Sequence, residues 1–215
     1  MNQNRLELLE LKLRTQALNE RKAALDELAS FPAEVAVPLF QKLAQEKDVV
    51  LCRFAVMGLG NHRTDASFQV LQQILEHNQD GNVLSEAANS LFEFGDVAIP
   101  LLQQLFKRSD NWLVRQTVIS LLMETNNPEV LLAVAIQSLE DETQSIQQAG
   151  IQALGHLLKS SLKNQALVLL IELAQDSDWQ NRWQIAIALQ GCEDPQAQQL
   201  IAKLQQDEHF RVALQ

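Results

Sequence analysis

Two adjacent apolar residues followed, after a gap of two, by a second apolar pair recur along the chain. Leu39-Phe40 with Leu43-Ala44 is the first instance, then Val70-Leu71 with Ile74-Leu75, then Leu101-Leu102 with Leu105-Phe106. The figure returns at Leu131-Leu132 with Ala135-Ile136, at Leu169-Leu170 with Leu173-Ala174, and in part at Leu200-Ile201 with Leu204. Positions i, i+1, i+4 and i+5 lie along one stripe of an α-helix, so each doublet predicts a helix with one buried face. The doublets start at 39, 70, 101, 131, 169 and 200, in steps of 31, 31, 30, 38 and 31. A step this regular predicts a repeating structural unit.

A second kind of segment lies between the doublets. Residues 48–60, 80–91, 110–122, 141–154 and 178–189 each open on Asp and continue with small or branched apolar residues. Each reads as the first helix of a pair, its Asp accepting from free N–H groups at the helix start. The long step exceeds its neighbours by seven residues, about two helical turns. It falls at the segment running from Gly155 to Ser161 and predicts helices there longer by a turn each. Residues 1–30 have the leucine density of one or two capping helices, 31–206 carry the repeats, and 207–215 read as the first half of an unfinished unit. A period near thirty admits several helical repeats. The Trp, Leu-Gly, Tyr pattern of tetratricopeptide units and the Thr-Pro-Leu-His of ankyrin units are missing, and HEAT-like units remain. The expected fold is all-α, a right-handed α-solenoid of about six HEAT-like helix pairs forming one domain.

Composition agrees. Hydrophobic residues make up 47% but aromatics only 5%, with no Tyr, which suits helix-on-helix packing of Leu, Ile, Val and Ala. Seven Gly and five Pro are few for the turns of an all-β chain. The net charge of −10 repels phosphate backbones, so nucleic acid is not an expected partner. The longest apolar run, residues 130–136, is too short to span a bilayer, and residues 1–14 lack a signal-peptide core; the expectation is a cytoplasmic protein without membrane insertion.

Motifs for chemistry are missing: no phosphate-cradling loop, nucleophile elbow, His-Glu-x-x-His helix or calcium loop. Cys52 and Cys192 stand far apart without a CxxC and read as free thiols. Gly58-Leu59-Gly60 reads as a helix C-cap. His62, His77, His156 and His209 fall near helix ends with no metal-ligand spacing and read as solvated. Neither a catalytic residue nor a metal site is expected. The candidates for contact are Trp112, Trp179 and Trp183, at the starts of first helices and each accompanied by an arginine, Arg115 or Arg182; Arg53 and Arg211 are placed similarly. Trp and Arg together make good binding anchors. A Trp braced on an arginine stem is equally a packing device between repeats, and both readings stand.

Asp110-Asn111-Trp112-Leu113-Val114-Arg115, the run from Asp178 to Leu189, and the intervening Gln147-Gln148-Ala149-Gly150-Ile151-Gln152-Ala153-Leu154-Gly155 resemble the phycobilisome-lyase-type HEAT-like repeat family of cyanobacteria, over roughly residues 48–215. Within it, the chain is most similar to small non-bleaching-type phycobilisome degradation proteins, and next to heterodimeric bilin lyase subunits. The resemblance implies a non-enzymatic adaptor engaging phycobiliproteins or their linear tetrapyrroles, with Trp112, Arg115, Trp179, Arg182, Trp183 and Arg53 as candidate contacts. The alternatives are a lyase-type subunit whose Arg115 and Arg182 hold the bilin propionates, and a general protein scaffold. Gln147 stands where the family often has Arg. No cofactor is expected beyond a linear tetrapyrrole as ligand.

Overall fold

A computed structural model describes residues 3–15 and 17–215, apart from the side chain of Gln3. Among them are fourteen α-helices, one 3-10 turn and no strand. Contacts divide the chain into two compact units, one running to Thr117 and one from Val118, with the boundary inside a helix.

The first unit contains α1 (Gln3–Arg14), α2 (Leu18–Leu28), α3 (Ala33–Leu43), α4 (Val49–Asn61), α5 (Asp65–His77), α6 (Gly81–Phe92), the 3-10 turn Gly95–Ala98, α7 (Ile99–Arg108) and the start of α8 (Trp112–Met123). Here α2 packs on α4 and α4 on α6, while α3 packs on α5, so first and second helices form separate rows. The second unit takes the rest of α8, then α9 (Pro128–Leu139), α10 (Gln144–Leu157), α11 (Lys163–Leu173), α12 (Trp179–Ala188), α13 (Pro195–Leu204) and the short α14 (Phe210–Ala213). In it α10 packs on α12 and α12 on α14, and α11 packs on α13. The six doublets fall one each on α3, α5, α7, α9, α11 and α13. Leu39, Phe40 and Leu43, then Val70, Leu71 and Leu75, then Leu102, Leu105 and Phe106, are all buried. Each fully buried Leu contributes about 2 kcal/mol of transfer free energy, so these stripes drive the packing.

Side-chain caps start helices of both types, with Thr64 at α5 and Asp194 at α13 among the second. Asp48, Asp80 and Asp178 accept from the amides of Val50 and Leu51, of Asn82 and Val83, and of Gln180, as expected of caps worth about 1 kcal/mol each. Two expected caps move. At α8 the acceptor is Asn111, bonded to the amides of Leu113 and Val114, while the Asp110 side chain is fully exposed. Asp110 stands one residue too early to reach them. At α10 the carboxylate of Asp141 accepts from the amide of Thr143 in the preceding turn, and the helix begins only at Gln144. Helices of the second type favour proline, with Pro100, Pro128 and Pro195 in their first turns, where the missing N–H costs nothing.

The long step is resolved differently from expectation. At 14 residues α10 is the longest helix, but α11 has only 11, and the added chain lies in the link at 158–162. The doublet itself sits three residues deeper in α11 than in α9, which lengthens the apparent step. The 58–60 cluster is likewise no C-cap. Gly58 and Gly60 lie inside α4, where a Cβ on Gly58 would stand 2.4 Å from the Phe40 ring and one on Gly60 2.9 Å from Ser90 Cβ. These are close-approach glycines, and the left-handed turns belong to Gly95 and Gly191 instead. A matching approach occurs in the second unit, where a Cβ on Gly155 of α10 would meet Ala188 Cβ of α12 at 2.8 Å. His62 is not solvated: it is 7% exposed, its Nε2 lies 3.2 Å from the Leu28 carbonyl and its ring is 5.9 Å from that of Phe40.

Candidate partner-docking site

The fourth residue of a first helix points back toward the loop that precedes it. In α2 the Nε of Arg21 donates to the Thr15 carbonyl, six residues back. In α8 the Nε of Arg115 donates to the Ser109 carbonyl at 2.6 Å, in α10 the Nε2 of Gln147 to the Asp141 carbonyl at 2.7 Å, and in α12 a terminal nitrogen of Arg182 to the Asp176 carbonyl at 2.8 Å. The residue type matters less than the reach, which is why Gln147 serves in α10 where α2, α8 and α12 use arginine. Each bond satisfies a carbonyl that the loop would otherwise leave without a helical partner.

Arg182 is the most heavily engaged. It is 8% exposed; its Nε and one terminal nitrogen pair with both carboxylate oxygens of Asp207 at 2.7 and 2.9 Å, and the other terminal nitrogen donates to the carbonyls of Asp176 and Ser177. The guanidinium hydrogen bonds hold the Asp207 carboxyl below the usual carboxylate range, against the opposing cost of burial. A bidentate buried pair of this kind is a structural clamp. Its donors are consumed, so the side chain does not present a free fork to a propionate. Arg115 is half-buried, with Asp110 at 3.4 Å and the Phe106 ring under its guanidinium at 5.9 Å. Arg53, the fifth residue of α4, pairs with Glu86 of α6 at 3.2 Å and forms no such loop contact.

The tryptophans separate in the same way. Trp112 is 55% exposed at the first turn of α8, in the first unit. Trp179 and Trp183, one helical turn apart on α12, share a depression of about 360 Å³ in the second unit with Arg211, Leu214 and the amides of Gln148 and Gln180. The clamp explains why α14 is there: Asp207 anchors the chain just before it, and its Oδ1, already bonded to Arg182, also accepts from the His209 amide at 2.8 Å. That turn lays His209 flat on Trp179, with ring centroids 3.9 Å apart and planes 13° apart, and sets the Arg211 guanidinium over the Trp179 ring at 5.4 Å. Phe210 and Leu214 project outward, 64% and 77% exposed. Sequence reading marked Trp179 and Trp183 as contacts, noted Arg211 only as an arginine at the usual repeat position, took His209 for a solvated residue and passed over Phe210 and Leu214. A Phe beside an acid-started terminal segment was the available signal.

Elsewhere the chemistry is quiet. Cys52 is buried and hydrogen-bonded to the Ala44 carbonyl; burial, reinforced by Asp80, pushes its thiol up to about 11, far from a reactive thiolate. Both cysteines are free thiols. Among the described residues no group of His, Cys, Asp and Glu could hold a metal ion, and no helix is long and apolar enough to cross a membrane.

Comparison with known proteins agrees with this architecture. The HEAT repeat family matches residues 6–92, 37–123, 73–155 and 132–215. No curated protein matches the sequence. Among solved structures, the YibA protein of Escherichia coli is similar over 99% of this chain and 79% of its own at 14% identity and a TM-score of 0.67. A Kap121p mutant is similar over 99% of this chain and 28% of its own, at 16% identity and a TM-score of 0.56. The complex of CpcE and CpcF of phycocyanin lyase from a Nostoc species aligns over 93% of this chain and 94% of that one, at 18% identity and a TM-score of 0.49. The protein, built from helix pairs of which four first helices are latched to the loop before them, belongs to the HEAT repeat family.

Proposed function

We propose that the protein is a non-enzymatic adaptor that holds a partner protein through the face formed by α12 and α14, and that the partner is a phycobiliprotein. The observation that carries the docking face is the sharing of one depression by Trp179, Trp183, Arg211 and the exposed Leu214, with Phe210 exposed on the same short helix. Trp dominates interface energetics because it brings large contact area with two torsions to freeze, and Arg because its planar fork pairs with carboxylates and stacks on rings. An exposed apolar rim beside them is what a docking surface needs and what an isolated surface avoids. The choice of partner rests on the resemblance of the repeats around Trp112 and Trp179 to the phycobilisome-associated family. Adaptor action also agrees with the consumption of Arg182, which serves α14 rather than a ligand.

The test is binding of purified phycocyanin to the full-length protein by sedimentation or surface capture, alongside Trp183→Ala. Retention by the wild type and loss in the variant is the expected result. Binding that survives Trp183→Ala overturns the face, and absence of binding by any phycobiliprotein overturns the partner. An absorbance shift on adding free phycocyanobilin moves the reading to a chromophore-handling subunit.

A further inference from the structure

The depression on α12 and α14 differs from four other clefts among the described residues in having no acidic side chain in its wall. A cleft of about 360 Å³ between α3 and α5 carries Glu46; one of about 370 Å³ at α4 and α6 carries Glu86 and Glu93 with Arg63; one of about 340 Å³ at α7 carries Glu76 and Asp110 with Arg108. In the second unit a cleft of about 540 Å³ holds Lys159 and Lys163 but also Glu193. The wall of the Trp179 depression contains a guanidinium and no carboxylate side chain. On a chain with a net charge of −10, a wall whose one charged side chain is a guanidinium stands apart.

That guanidinium belongs to Arg211, and its state is unusual here. Arg5, Arg14, Arg21, Arg53, Arg63, Arg115 and Arg182 each face a carboxylate, and Arg108 donates to the Leu75 carbonyl. Among the described residues Arg211 pairs with neither. Its guanidinium instead lies over Trp179, with Phe210 on another side at 5.9 Å. The ring holds the cation in the wall of the depression, and its N–H donors, unmatched among the described residues, suit a planar anion. Of the acids just before it in the chain, Asp207 is committed to Arg182, and Glu208 lies 3.7 Å from Arg182 as well. Beside the cation stand the half-buried indoles of Trp179 and Trp183, and on the rim are amides able to bond an extended backbone, Gln148 and Gln180.

We propose that this depression takes an extended acidic segment of the partner protein, one Asp or Glu carboxylate bonded to the Arg211 guanidinium and an adjacent apolar side chain seated against Trp179 and Trp183. The inference rests on the reading that this face docks a partner, and it adds the chemistry that selects the segment. A cation paired with flat apolar walls discriminates by charge, since a neutral segment fills the walls but leaves the guanidinium unmet, and a basic one meets repulsion.

The experiment uses the full-length protein and two fluorescein-labelled ten-residue peptides. One alternates Glu with Leu and Phe; the other has Gln at every Glu position. Fluorescence anisotropy should give the acidic peptide about tenfold tighter binding, a preference that shrinks with rising salt. Arg211→Gln, an exposed change that leaves the helices intact, should erase the preference while leaving the weaker neutral binding in place, and Arg211→Lys should restore part of it. Trp183→Ala should weaken both peptides about thirtyfold or more. Equal binding of the two peptides, or a preference that persists in Arg211→Gln, overturns the acidic segment while the docking face stands. Failure of both peptides to bind, or indifference of both to Trp183→Ala, overturns the docking face and the inference with it.

Discussion

Arg21 and Arg182 occupy the same place in their helices, yet the surroundings make them different devices. Both are buried, at 4% and 8% exposure, and both reach back six residues to a loop carbonyl. Arg21 pairs with Asp48 through one nitrogen at 3.1 Å; that carboxylate is nearly half exposed and already caps α4, and the other terminal nitrogen of Arg21 is buried without a partner among the described residues. Arg182 meets Asp207 with two bonds, and both side chains are only 10% exposed. The repeat position thus supplies the same stem in α2 and α12, while the strength of the clamp depends on the carboxylate the next element brings. In the second unit that element is the turn carrying His209 and Arg211, so the clamp also shapes the wall of the Trp179 depression.

The largest effect expected from this contrast is in double-mutant cycles. Arg182→Ala with Asp207→Ala should show a coupling of about 3 kcal/mol in denaturant unfolding, because removing one partner strands the other in a buried place. Arg21→Ala with Asp48→Ala should couple by about 1 kcal/mol or less, since solvent screens Asp48. Equal couplings would remove the distinction. Next come the glycine crossings, where the units should behave alike. Gly60→Ala and Gly155→Ala each push a methyl into the facing helix and should cost about 2 kcal/mol, recovered in part by Ser90→Gly and Ala188→Gly. Failure of rescue in one unit only would show that its crossing is held by something else.

Acid separates the units more finely. Burial holds the His62 imidazole below its ordinary 6.5, so below that pH the unfolded chain takes up a proton that the folded first unit refuses. Stability should fall as pH drops from about 6.5, and His62→Gln should remove that component of a thermal-melt series. The Asp207 contribution has the other origin. Its carboxyl is depressed in the folded state, so its stabilisation is complete above the ordinary carboxylate range and is lost as pH falls below about 4, a component that Asp207→Asn should abolish. The smallest effect is expected at Trp112, where exposure limits the change on Trp112→Ala to about 0.5 kcal/mol or less. If that variant also leaves partner binding intact while Trp183→Ala abolishes it, the docking role belongs to the second unit alone.

Much of this was written in local pattern. The doublets placed all six second helices because a buried stripe needs the same i, i+1, i+4 spacing wherever it occurs. Asp48, Asp80 and Asp178 marked their helix starts because a cap acts over two or three residues. Asp110 and Asp141 misled for the same reason: at α8 Asn111 is the better placed acceptor, and α10 begins at Gln144, beyond the reach of Asp141. The contact candidates were legible as residue types, but their employment was not: Arg182 and Arg211 look alike in sequence, and one is consumed by Asp207 while the other stacks free on Trp179.

The sequence by itself therefore determined the helical repeat, its period, its exclusion of familiar catalytic motifs and the supply of aromatic and cationic residues near α12, since each depends on spacing within a turn or two of chain. Only the tertiary structure decided that Gly58, Gly60 and Gly155 are contact points rather than caps, that His62 is buried, and which arginine is left to meet a partner. Those outcomes depend on what a neighbouring repeat, some 25 to 35 residues away, places opposite each side chain. Burial and pairing are properties of two surfaces, and one strand of letters states only one of them at a time.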